Sequence, residues 1–358
     1  MWFCYSASSA GRIHDRLPLQ LQVGRVSWGF AILTFAYLTF WVGMRTGWGD
    51  TYAYNATFDN IESLYSSVVD ILSRSPKGFG FQIITYIFHK YISNHLNVWY
   101  MFLALLSCGC VAYTFKRFSP NFFLSSLIYL LSCSFAWSMN GIRQYFCVTI
   151  IFACIPLILN RRWITLVIIT LLLSFVHATA LIMLPVYYVV KSKPWSKLMI
   201  YSVLITSCLV SFPGLFSSGV EVALEGSDYE GMTEKFGSGV NIIRVLFFSL
   251  PAVIAFLGRK KLSEQHNAVI NLCINMSVLT ACMYAIGAVT SGILMGRLPM
   301  YCQLFSYILI AFEAKLLFTT RSRAIFVWGY LALFFIFFTI QTAGGRYYYR
   351  SDITGLVL

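Results

Sequence analysis

The chain has 358 residues, 58% hydrophobic and 11% charged, with 26 Lys+Arg against 13 Asp+Glu and a net charge of +13; its mean hydropathy is +0.72. Soluble domains carry about 25% charged residues, so a soluble enzyme is excluded, and the dominance of apolar residues excludes disorder. The apolar runs are continuous rather than alternating over the ~10-residue strands of a membrane β-barrel, which leaves an all-α, polytopic helical membrane protein.

In chain order, residues 1–25 carry Arg12, Arg16 and Arg25. No small-residue cleavage site follows the first apolar run, so that run reads as a retained span. Full spans are predicted at 26–44, 96–115, 120–138, 142–159, 198–216, 241–258, 268–290, 298–318 and 324–343. The stretch 163–190 is too short for two full crossings, since its helical length is about 42 Å. It is expected to form two short arms that meet near His177, with Pro185 loosening the second. Residues 79–93, which contain His89 and Lys90, are expected to form a re-entrant or interfacial helix. The total is about 11 transmembrane helices in a single integral membrane domain, 1–358.

Short basic stretches separate the spans: Lys116-Arg117, Arg161-Arg162, Lys191/Lys193/Lys197, Arg259-Lys260-Lys261 and Arg321/Arg323. Placing these and the 1–25 terminus in the cytoplasm leaves acidic and basic residues balanced on the outer side. The net positive charge then reports orientation and requires no nucleic-acid partner. Two segments become outer loops, 45–95 and the acidic, Gly-rich 217–240. The ten cysteines lie mostly in apolar runs without a CxxC pair, as small core residues do.

On this topology several polar groups fall at outer helix ends. Arg45 and Asp50 follow the first span, with Tyr54 one turn on; Asn140, Arg143 and Gln144 share a helix face by their spacing; His177 sits at the break between the arms. Arg244 enters the span after the acidic loop, and Arg297 precedes the next but one. Singly, each has a bland reading: an interfacial anchor, a snorkelling cation, a core histidine or a helix cap. Together they mark one depth of the membrane, where ionisable groups usually face a cavity.

Several arginines with few acids suit a diphosphate, because guanidinium binds phosphate oxygens bidentately and keeps its proton. They would also stabilise charge developing on a phosphate leaving group, while Asp50 or His177 takes a proton from an attacking hydroxyl. No HExxH, Cys/His cluster, DxD, Walker loop or GxGxxG is present, so neither a metal nor another cofactor is expected.

Four elements carry a family resemblance: Arg45-x3-Gly49-Asp50-x3-Tyr54; Asn140-Gly-Ile-Arg143-Gln144; the stretch from Ser174 through His177 to Pro185; and Arg297 at the head of a span. In this order they resemble the EpsG/Wzy family of bacterial polysaccharide polymerases. One departure is Ser75-Pro76-Lys77-Gly78-Phe79, where family members often carry an acid before the Gly-aromatic pair. The resemblance implies a GT-C-like bundle with broken helices near the active site, in the bacterial inner membrane with the site facing the periplasm. It further implies a metal-independent transfer of a growing glycan from undecaprenyl diphosphate to a lipid-linked repeat unit. Asp50 and His177 are then candidate catalytic residues, and Arg45, Arg143, Arg244, Arg297, Asn140, Gln144 and Tyr54 candidate substrate contacts. Its partners would be undecaprenyl-diphosphate-linked oligosaccharides and membrane lipids, with a chain-length regulator and a flippase as candidate protein partners. An O-antigen ligase using the same donor, a lipid-linked oligosaccharide flippase and a membrane O-acyltransferase are the competing readings.

Overall fold

The computed structural model describes residues 26–214, 239–290, 292, 295–343 and 348–357. The 1–25 terminus and the acidic loop up to residue 238 lie outside the described residues. The described residues are all-α apart from one short hairpin, and the chain divides into two compact units, one within Met1–Leu181 plus Thr320–Leu358, the other Ile182–Thr319.

The first unit begins with α1 (Trp28–Gly43), started by Ser27, whose hydroxyl accepts from the Phe30 N–H at 3.2 Å. Four short helices follow in the 45–95 segment: α2 (Thr51–Asp59), α3 (Ile61–Leu64), α4 (Val68–Arg74) and α5 (Phe79–Tyr91). Helix α6 (Leu96–Phe118) runs antiparallel to α1, since Asn97 at its start bonds the Gly43 carbonyl at the end of α1. Helix α7 (Phe122–Leu131) packs on α17 (Thr320–Thr342), and α8 (Ile142–Ala153) packs on α6. Next come α9 (Ile155–Leu159) and α10 (Trp163–Val176), the latter packed against α5. The unit ends in a two-stranded antiparallel hairpin, β1 (Arg350–Ser351) with β2 (Leu356–Val357).

Two expected spans are broken. The 120–138 span stops at Leu131, and a 3₁₀ turn, Phe135–Ser138, replaces its C-terminal end. Ser132 donates to the Tyr129 carbonyl at 3.1 Å and Cys133 turns left-handed at φ 59°. Here serine side chains compete with the helical ladder. The 142–159 span breaks at Cys154, because Pro156 in the first turn of α9 has no N–H to continue the α8 ladder. The 163–190 stretch divides as expected: α10 ends at Val176, and His177 is extended at φ −152° before the 3₁₀ turn Ala178–Ile182.

The second unit contains α11 (Met183–Val190), α12 (Lys197–Ser211), α13 (Ile242–Leu257), α14 (Arg259–Ser263), α15 (Ala268–Val289) and α16 (Met300–Leu316). Helix α15 is its centre, touching α11, α12, α13 and α16. Its buried residues lie on every side, the pattern of a helix inside a bundle. Polar clamps fix it: Asn275 donates to the Val190 and Ser192 carbonyls at 3.3 and 2.8 Å, and the Ser277 and Ser306 hydroxyls meet at 2.9 Å. Such bonds hold helices together where lipid removes the hydrophobic drive.

Among the described residues, α6, α15 and α17 are long and apolar enough to cross a membrane, with 23, 22 and 23 residues. The remaining apolar helices are shorter. Helices α1, α12 and α17 expose large apolar side chains such as Leu33, Tyr37, Leu204, Ile325 and Trp328. Broad apolar exposure of this kind suits contact with lipid rather than water.

Candidate active site

In the first unit, chain-distant segments meet at one end of the helices. The loop after α1 carries Arg45 and Asp50, and the Asp50 N–H donates to the Asn140 side-chain oxygen at 3.3 Å. The 45–54 and 140–144 elements are therefore in direct contact across 90 positions of sequence. Asn140 and Gln144 are buried, at 8% and 2% exposure. Asp50 is exposed, and although it occupies the cap position of α2, its side chain makes no capping bond. The bland reading of Asp50 as a helix cap thus finds no support in the geometry.

Arg143, in the first turn of α8, is half-buried and donates to the Lys77 carbonyl at 3.4 Å. Gly78 follows at φ 68°, and a Cβ there would lie 2.8 Å from Arg143 Nη1 and 3.0 Å from the Val176 carbonyl oxygen. This glycine lets the start of α5, the Arg143 guanidinium and the end of α10 share one small volume. The Ser75–Phe79 stretch, noted for lacking an acid, is the segment that meets Arg143. Among the described residues no carboxylate lies within ion-pair distance of Arg143. His177 follows Val176 directly; its Nδ1 lies 2.6 Å from the Thr179 hydroxyl, which fixes the ring.

Arg45 is placed differently from the other candidates. It is 1% exposed, lies 3.8 Å above the Tyr100 ring, and donates from Nη1 to the Val42 carbonyl at 2.5 Å and from Nε to the Thr51 hydroxyl at 3.4 Å. Loss of solvation pulls its pKa down to about 10, which leaves it charged at neutral pH. The guanidinium is therefore directed into the loop's foundation rather than toward solvent. Tyr54 is half-buried, edge-on to Phe81 at 6.0 Å between ring centres.

In the second unit, Val240 ahead of α13 donates its N–H to the Gly287 carbonyl at 2.8 Å, and it packs on Gly296. The start of α13, the end of α15 and the Met295–Arg297 turn therefore meet at one end of that unit. Arg244 and Arg297 share this end, and both are half-buried. Arg244 lies near Tyr284. The Tyr284 hydroxyl donates to Gln303 at 2.5 Å, and Gln303 donates to the Tyr307 hydroxyl at 2.5 Å. Sequence reasoning missed this buried ladder; its signal was three hydrogen-bonding side chains within otherwise apolar spans.

Also missed was the C-terminal hairpin. Arg350 forms an antiparallel bridge with Gly47, and the Tyr349 hydroxyl donates to the Trp41 carbonyl at 2.8 Å. Among the described residues no group of three or more His, Cys, Asp or Glu has metal-binding geometry.

The sequence profile of the EpsG family matches residues 28–350. The chain belongs to this family of polysaccharide polymerases. No curated protein and no solved structure matches it.

Proposed function

We propose that this EpsG-family protein is a membrane glycosyltransferase that extends a lipid-linked glycan at the periplasmic face of the bacterial inner membrane. The donor is the growing chain on undecaprenyl diphosphate, and the acceptor is the non-reducing sugar of one lipid-linked repeat unit. The observation that carries this reading is that the 140–144 segment joins two others: Asn140 accepts from the Asp50 N–H, and Arg143 meets Gly78 beside the Val176 carbonyl that leads into the His177 break. With the basic stretches held in the cytoplasm by the positive-inside rule, this junction faces outward in an eleven-span, N-terminus-in, GT-C-like arrangement.

In the reaction the acceptor hydroxyl oxygen forms a bond to the donor's anomeric carbon. The bond from that carbon to the phosphate oxygen breaks, and its electron pair leaves with undecaprenyl diphosphate. The hydroxyl proton passes to a base, for which Asp50, an exposed carboxylate whose backbone is held by Asn140, and His177, a ring held by Thr179, are the two candidates. Arg143 contacts the diphosphate and offsets its growing charge. Arg244 and Arg297 are proposed as diphosphate contacts at the end of their own unit. Arg45 holds the loop rather than the substrate, while Tyr54 and Gln144 support it or contact sugar. No step requires a metal or nucleotide.

The test is purified protein with a synthetic lipid-diphosphate repeat unit in chelator. A ladder of products is expected, and none from an inserted Arg143→Ala variant. In cells that make lipopolysaccharide, a null strain should keep core plus one repeat; bare core would indicate a ligase instead.

A further inference from the structure

We propose that the C-terminal segment 349–356 is a positioning clasp for the Thr46–Asp50 loop, setting the catalytic register rather than contacting substrate. The proposal rests on the polymerase reading for its kinetic consequence, and on geometry alone for its existence.

The clasp is built mainly from backbone. Gly47 donates its N–H to the Arg350 carbonyl at 3.1 Å, and Arg350 donates back to the Gly47 carbonyl at 3.0 Å. Thr46 donates its N–H to the same Arg350 oxygen at 2.7 Å, and its hydroxyl accepts from the Asp352 N–H at 3.2 Å. The two backbones approach so closely that a Cβ at 47 would sit 3.3 Å from Arg350 Cβ. The contact adds a short strand to the loop edge, a mode in which backbone bonds supply the affinity.

The apolar side of the segment reaches the other half of the junction. Tyr349 is buried in one cluster with Val42, Ala104 and Met139, against which Trp41, Trp48 and Leu356 pack. Trp48 stands two residues before Asp50, and Met139 stands one residue before Asn140. The tail thus braces both sides of the bond between the Asp50 N–H and Asn140. The Arg350 side chain meanwhile pairs with Asp352 at 2.7 Å in the open. The contribution of residue 350 is therefore its backbone. A reacting group displaced by about 1 Å costs roughly 100-fold in rate, so loss of the clasp should lower kcat by that order with KM within about threefold.

Three variants separate the possibilities. Arg350→Pro removes the N–H that Gly47 accepts and should lower kcat about 100-fold, whereas Arg350→Ala keeps the backbone bonds and should stay near wild type. Gly47→Cys with Arg350→Cys, in a Cys208→Ala background, should form a disulfide under mild oxidant, since bridge partners that exchange both hydrogen bonds lie about 5.5 Å apart at Cα. The locked protein should polymerise at the wild-type rate. Equal losses in the Arg350→Pro and Arg350→Ala proteins, an unaffected Arg350→Pro, or an inactive locked form that recovers on reduction would each overturn the clasp. If the wild type itself makes no ladder, the polymerase reading fails and hydrogen exchange decides the clasp. Arg350→Pro should then speed exchange at residues 45–51 while α6 and α15 stay protected; unchanged exchange at 45–51 would overturn it.

Discussion

Replacing Gly78 by alanine places a methyl group 2.8 Å from Arg143 Nη1, where ordinary contact begins near 3.4 Å. The guanidinium is the flexible end of a long side chain, so it is the part that gives way, by about half an ångström or more, and its bond to the Lys77 carbonyl is lost. The left-handed backbone at φ 68° adds about 1–2 kcal/mol of strain to the folded state. Stability should therefore fall by that amount, with the protein still inserted. Turnover should fall by about 10- to 100-fold, equivalent to about 1.4–2.7 kcal/mol of lost transition-state stabilisation. The assay is a double-mutant cycle on ladder formation with Arg143→Ala. Once Arg143 is absent there is no guanidinium to displace and only the close approach to the Val176 carbonyl remains, so Gly78→Ala should then cost clearly less rate than it does in the wild type. Normal turnover in the single variant, or an equal loss in the Arg143→Ala background, would refute the reasoning.

Three further outcomes are expected. Arg45→Ala should destabilise the protein by about 2–4 kcal/mol, since it leaves a cavity above Tyr100 and strands the Val42 carbonyl; a melting curve in detergent checks it. Asp50→Asn and His177→Ala should both insert normally, and the one that removes the base should abolish the rising limb of the kcat-against-pH profile while the other keeps it. The hydrogen bond from Arg350 holds the Asp352 carboxyl below its ordinary value, with Thr46 adding to the effect. The sign follows from linkage: a depressed carboxylate contributes stability that is complete above its unfolded value, about 3.9. That contribution is lost as pH falls through the lower folded value. The melting difference between wild type and Asp352→Asn should accordingly be constant near pH 6 and vanish in stronger acid.

Much of the fold is visible in the chain's own chemistry. Apolar length and basic punctuation locate most helices, and the shortness of 163–190 requires the break that occurs at His177. The sequence placed Asp50 and Asn140 at one depth of the membrane, and their direct contact emerges only from the structure. What escaped sequence reading has physical causes. The clasp is made by backbone groups of Thr46, Gly47 and Arg350, which leave no side-chain signature. Arg45 reads as an interfacial cation because the ring that covers it, Tyr100, lies in another helix. The unwound end after Leu131 stays apolar in composition, so only the small Ser132-Cys133-Ser134 step marks it. The Ser75–Phe79 stretch was noted only for its missing acid, because the contribution of Lys77 to the site is a backbone carbonyl.

The central claim is that the junction of Asp50, Gly78, Arg143 and His177 binds the lipid diphosphate. Photo-crosslinking with a photoreactive polyprenyl-diphosphate sugar, followed by peptide mapping, tests it directly. Label is expected on peptides 45–54, 75–80, 140–147 or 174–180, removed by excess unlabelled substrate. Competed label confined to the basic turns at 116–121 and 161–163 would contradict it.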